Sequence, residues 1–249
     1  MWEMQSRTGL AVRTFAPGPA PAGLPVLLVH GFGSTGHRDW VETGIAQALA
    51  RAGRPVLVPD LRGHGDSPAP SSAREAGVAA HVEDLVAVLD EAGAASYDAV
   101  GYSLGARLTW ELPSATPGRL RRALLGGLVP AEPFAAVDTA ALHRAVAEGT
   151  EPADPLTSAV AGMVRAHGDR AAGLALCVEG LRETPFAPRS WTGGVPPLLV
   201  VGDRDAMTRG IERVADLVDG CELLTVPGDH QGVLTGEAFR RTVLEVLAR

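Results

Sequence analysis

The chain has no lysine: all 22 of its basic residues are arginine. That bias fits a GC-rich genome better than it fits any mechanism. It also has no basic excess, since the net charge is −7 and the arginines are spread rather than blocked, which argues against a nucleic-acid footprint. Only two cysteines occur, Cys177 and Cys221, far apart and without ligand-type neighbours. They read as buried thiols in a reducing compartment, and no disulfide is supported. No apolar run approaches the roughly 20 residues that span a bilayer, so no membrane partner is expected. The opening "MWEMQSRTGLAVRTF" lacks a basic flank followed by an apolar core, so no signal peptide is expected and the expected location is cytoplasmic. Hydrophobic residues, by contrast, make up 46% of 249, enough for a sizeable core.

That apolar content falls in short runs. "PVLLVH" (25–30), "PVLVPD" (55–60), "YDAVGY" (97–102), "RRALLGG" (121–127), "PLLVVGD" (197–203) and "CELLTV" (221–226) read as strands buried on both faces. Helical patterns separate them, over residues 40–52, 78–92, 104–115, 209–218 and 236–248. The clearest places Val82, Leu85, Val86 and Leu89 on one stripe, with Gly93 as its stop. This alternation predicts βαβ units in a doubly wound, mostly parallel sheet. Near the start, "WEMQS" and "GLAVRTF" flank Arg7-Thr8-Gly9 and predict an antiparallel hairpin at one edge, and "APGPAPAGLP" (16–25) reads as a surface connection. Residues 131–194 carry no strand signal, only Ala-rich helical pieces. They are expected to form a helical lid inserted into a core of residues 1–130 and 195–249.

Ligands of parallel α/β sheets collect at the carboxyl ends of the strands, and four groups fall there. "GYSLG" brackets Ser103 between Gly101 and Gly105, a spacing that suits either a strained turn exposing a nucleophile or a packing turn. "HGFGSTG" (30–36) frees backbone amides, so the N–H groups of Phe32 and Leu104 could together bind an oxyanion. His30 itself ends a strand and reads as structural. "VGDRDAMT" (201–208) offers Asp203 and Asp205, and "VPGDHQG" (226–232) offers His230. His37, Asp39, His64 and His81 have no metal-ligand spacing, so neither metal nor cofactor is expected. His64 reads as a loop residue, and His143 and His167 as solvated lid residues.

Ser, Asp and His in that chain order, each just beyond a strand, resemble the α/β-hydrolase fold superfamily over nearly the whole chain outside the lid. Gly101-Tyr-Ser-Leu-Gly105 matches its nucleophile elbow, His30-Gly31-Phe32-Gly33 its oxyanion motif, and "PDLRGHGDS" (59–67) the loop after the next strand. Gly202-x-x-Asp205 matches its acid motif, which assigns the acid to Asp205 rather than Asp203. Two positions depart: Asp229 stands where Gly often precedes the histidine, and "AMT" replaces an apolar-then-proline continuation after the acid.

The resemblance implies a metal-free serine hydrolase. His230 would take the Ser103 proton, Asp205 would fix the imidazole tautomer, and Phe32 and Leu104 would hold the oxyanion. The expected substrate is a small molecule, an ester, thioester or lactone, handled through an acyl-enzyme. A carboxylate nucleophile would instead point to epoxide or haloalkane chemistry. With aromatics at 4%, the pocket is expected to be mainly aliphatic, drawing on Phe32, Tyr102, Leu104 and lid side chains such as Phe134, Met163 and Trp191. Arg107 either reaches that pocket to hold a substrate carboxylate or points away to an acidic neighbour. "GYSLGAR" also resembles the menaquinone-pathway succinyl-hydroxycyclohexadiene carboxylate synthases, which implies a triad-dependent lyase or acyltransferase as the alternative. A non-catalytic small-molecule binder on the same fold is the third reading.

Overall fold

A computed structural model describes residues 1–17 and 23–247. The N-terminal hairpin forms as expected, β1 (Trp2–Gln5) against β2 (Ala11–Phe15). Half of the 16–25 connection, residues 18–22, lies outside the described residues. The chain then alternates through β3 (Val26–Val29), α1 (Ile45–Arg51), β4 (Val56–Pro59), α2 (Val78–Glu91), β5 (Tyr97–Tyr102), α3 (Leu104–Ala115) and β6 (Leu120–Gly126). Three helices follow, α4 (Thr139–Glu148), α5 (Pro155–Arg165) and α6 (Ala171–Arg182), before β7 (Leu198–Gly202), α7 (Glu212–Ala215), β8 (Glu222–Val226), α8 (His230–Thr235) and α9 (Glu237–Leu247).

The eight strands form one sheet in the order β1-β2-β4-β3-β5-β6-β7-β8. Only β1 and β2 run antiparallel to their neighbours; the other pairs are parallel. Side chains alternate across each strand, so β3 sends Leu27 and Val29 to one core and Val26 and Leu28 to the other. The first core packs under α2, α3 and α4–α6, with Leu85, Leu108 and Leu174 fully or nearly buried. The second packs under α1 and α9 around Ile45, Trp40 and Phe239. Both faces are covered, as a central parallel sheet requires.

Three elements depart from the sequence reading. The helix expected over 40–52 splits into a π-helical turn at His37–Val41 and α1, because Gly44 adopts a left-handed φ of 73° between them. The helix expected over 209–218 shrinks to the single turn of α7, hemmed in by Gly210 and the Asp219-Gly220 turn. The last strand is not buried on both faces: β8 pairs only with β7, and Leu224 is exposed. Both cysteines are free, Cys177 buried on α6 and Cys221 half-buried. Burial pushes the Cys177 thiol up to about 12. No helix among the described residues is long and apolar enough to cross a membrane.

Candidate functional site

Ser103 is the only non-glycine among the described residues with a positive φ, 54° at ψ −115°. Such a backbone costs on the order of 1–3 kcal/mol and persists only where its surroundings enforce it. Here β5 must turn at once into α3. A Cβ on Gly101 would lie 2.2 Å from the Gly105 carbonyl oxygen, and one on Gly105 would lie 2.0 Å from the Val29 oxygen. Both positions therefore have to be glycine. The Ser103 amide donates to Gly126 O at 2.9 Å, and its carbonyl accepts the Arg107 amide at 3.0 Å, fixing the turn from both sides.

His230 begins α8 beyond β8. Its Nε2 lies 3.0 Å from Ser103 Oγ and its Nδ1 lies 2.7 Å from Asp205 Oδ2. A carboxylate can only accept, so Nδ1 carries the proton and Nε2 is left to accept from the serine hydroxyl. The Asp205 side chain is wholly buried, and its Oδ1 accepts the Met207 amide at 2.9 Å. A proline at position 207 would have no N–H to donate, so the departure after the acid supplies a second tether for the carboxylate. Asp203 does a different job: its Oδ1 accepts the Gly228 amide at 2.8 Å, holding the histidine loop. The other departure is also explained, because Asp229 caps α8 through the Gly232 amide at 2.8 Å.

Phe32 follows β3 and Leu104 opens α3; neither amide has a hydrogen-bond acceptor among the described residues. The first turn of a helix leaves such donors free and electropositive. The Phe32 loop is tied down by the buried Asp39, a role that no spacing in the sequence marks. Its carboxylate accepts the Gly31 amide at 2.9 Å and the Ser34 hydroxyl. His30 is structural, accepting Leu61 N–H at Nε2 and donating from Nδ1 to Gly31 O. His64 is buried edge-on against His30 and Phe32, and burial drives its pKa well below the ordinary histidine value. Among the described residues no cluster of three or more His, Cys, Asp or Glu is placed to hold a metal.

Under the inserted helices lies a cavity of about 220 Å³ that reaches Ser103 and His230. Of the expected lining residues, Phe32, Leu104, Arg107, Phe134 and Met163 are in its wall. Two are not. Tyr102 points to the opposite face of the sheet, where its hydroxyl donates to the His230 carbonyl at 2.5 Å; it borders a separate recess of about 150 Å³ beyond Ser103. Trp191 packs edge-on against Trp110 and donates to Val195 O, clear of the cavity. The expected aliphatic wall is a mixed one: beside Leu104, Val129, Ala131 and Leu181 it takes three of the chain's five phenylalanines, Phe32, Phe134 and Phe186. Sequence reading missed Phe186 and Glu132, which lie in irregular segments without a periodicity to mark a face. His143 and His167 are not free in solvent either: His143 Nε2 is 2.7 Å from Glu179 Oε2, and His167 lies over Gly33.

The profile of the α/β hydrolase fold matches residues 25–149. Over 129 residues the chain is 35% identical to epoxide hydrolase A of Mycobacterium tuberculosis, covering 52% of this chain and 38% of that one. Over 107 residues it is 36% identical to 2-hydroxymuconate semialdehyde hydrolase of Pseudomonas putida, covering 43% and 37%. The chain thus matches under two fifths of either relative's length. The enol-lactonase of Burkholderia xenovorans LB400 superposes over 100% of both chains with a TM-score of 0.74 at 21% identity, a likeness of fold.

Proposed function

Because the chain belongs to the α/β hydrolase fold family, we propose that it is a serine hydrolase acting on small or medium carboxylic esters, thioesters or lactones. The observation that carries this is the continuous path Asp205–His230–Ser103, at 2.7 and 3.0 Å. It ends on a hydroxyl held at the mouth of a cavity. A serine hydroxyl is a weak nucleophile at neutral pH until a base accepts its proton. His230 Nε2 takes that proton as Ser103 Oγ attacks the substrate carbonyl carbon. The new oxyanion faces the Phe32 and Leu104 amides, each donor of this kind contributing about 3–4 kcal/mol. Collapse breaks the bond to the alcohol or thiol, which leaves with the proton returned by His230. Water then repeats the sequence on the acyl-enzyme and frees Ser103.

The wholly buried Asp205 holds the imidazole in the tautomer that leaves Nε2 free and stabilises the imidazolium. The helical insertion acts as a lid whose apolar wall takes the acyl group. A hydroxyl at the elbow, where a carboxylate would suit epoxide opening, supports acyl transfer over the chemistry named in the epoxide hydrolase relatives. The test is turnover of short p-nitrophenyl esters. Ser103→Ala and His230→Ala are each expected to lower kcat by about 10³-fold or more. Wild-type turnover that survives Ser103→Ala would contradict the reading.

A further inference from the structure

Two charged side chains, Arg107 and Glu132, stand in the cavity wall, which apart from Ser103, His230 and Gln231 is otherwise apolar. Arg107, four residues beyond Ser103, is only 8% exposed. Its guanidinium lies 4.7 Å over the Phe186 ring and pairs through Nη1 with Glu111. Its Nε is buried without a hydrogen-bond partner, and no described residue accepts from Nη2. Glu132 is half-buried and anchored by one oxygen, Oε1, which accepts the Phe134 amide at 3.0 Å. Burial raises its pKa, while the Phe134 amide and the charge of Arg107 pull it down. Arg107 and Glu132 line the same cavity, yet they do not form an ion pair with each other: the guanidinium is paired with Glu111.

The signs of these groups decide what fits between them. Glu111 already balances the guanidinium charge, and Glu132 adds a negative one, so a substrate carboxylate would be repelled. A cation would in turn face Arg107. An uncharged group with an acceptor on one side and a donor on the other satisfies both walls, and an isolated alkyl chain satisfies neither. We propose that Arg107 and Glu132 bracket an amide within the acyl part of the substrate, its C=O accepting from the guanidinium and its N–H donating to the Glu132 carboxylate. This rests on the serine-hydrolase reading and narrows its substrate class to amide-bearing acyl esters or lactones. Of the two roles expected of Arg107, pairing with an acidic neighbour is met by Glu111, and the amide takes the place of the carboxylate in the other.

Three p-nitrophenyl esters of matched length separate the possibilities at pH 8: 4-acetamidobutyrate, heptanoate and hydrogen adipate. Ratios of kcat/KM are read for wild type, Glu132→Gln and Glu132→Ala, because a ratio is independent of the fraction of enzyme folded. In wild type the amide ester is expected to exceed the heptanoate by ~10-fold or more, and the adipate to fall below it. Glu132→Ala should bring the amide-to-heptanoate ratio to within about 3-fold of one. Glu132→Gln, which removes the negative charge, should raise the adipate-to-heptanoate ratio by ~10-fold. Heptanoate preferred throughout, or adipate preferred in wild type, would overturn the inference while leaving the hydrolase standing. Absence of Ser103-dependent turnover on all three would overturn the hydrolase reading, and this inference with it.

Discussion

The Asp203 carboxylate accepts the Gly228 amide at 2.8 Å, two residues before His230, while Asp205 reaches the imidazole itself at 2.7 Å. Two carboxylates in one loop thus hold the same histidine in different ways, one through the backbone and one through the ring. Their substitutions should separate. Asp205→Asn keeps the shape of the site but favours the wrong imidazole tautomer, and kcat is expected to fall by about 10⁴-fold. Asp203→Asn keeps an acceptor oxygen for Gly228 and should cost about 10-fold or less. Equal losses in steady-state kinetics would contradict this division of roles, and a larger loss at Asp203 would place the acid there.

The elbow makes a prediction about stability. Gly105→Ala drives a methyl to 2.0 Å from the Val29 oxygen, and the next nearest atoms, Val29 C and His30 O, are also backbone that cannot swing aside. A loss of about 3 kcal/mol or more is expected, a fall in Tm of roughly 6–12 °C for a domain of this size. Gly162→Ala, in α5 with nothing within 4 Å of the new methyl, should instead stabilise by about 0.5–1 kcal/mol. Calorimetry on the two variants reads the contrast directly, and equal behaviour would mean that the elbow is not strained as described.

A buried histidine sets part of the acid sensitivity. Burial, with help from the Arg62 charge and from His30, lowers the His81 pKa to about 4. The folded state therefore holds His81 neutral at pH values where the unfolded chain, with an ordinary pKa near 6.5, has begun to bind a proton. Stability from this group is complete above pH 6.5 and is lost as pH falls toward 4. Between pH 7.5 and 5 the loss amounts to about 2 kcal/mol. Denaturant melts of wild type and His81→Gln should differ in their pH slope by about that much, and parallel slopes would contradict the assignment.

What could be read in advance follows from how local each signal is. The elbow at Gly101–Gly105 and the loops carrying Asp205 and His230 were legible because each is a backbone constraint written in a few neighbouring residues. The parallel sheet was legible because its strands are buried on both faces and so lose polar alternation. Tyr102 and Trp191 were misplaced for one reason. Choosing which face a side chain takes depends on the twist of the sheet and on partners such as Trp110, which lie far off in sequence. Asp229 looked like a departure because a cap is defined by where a helix begins, and α8 is only six residues long. Asp39 and Glu132 each act through a single loop amide or a cavity wall, and neither leaves a spacing to find.

The central claim is that Ser103 is a hydroxyl made nucleophilic by His230. Incubation with a fluorophosphonate probe, followed by mass mapping of the labelled peptide, tests it most directly. A single adduct on Ser103 is expected, absent in Ser103→Ala and slowed by about 10³-fold or more in His230→Ala. Folded protein that takes no adduct, or that takes it on another residue, would contradict the account.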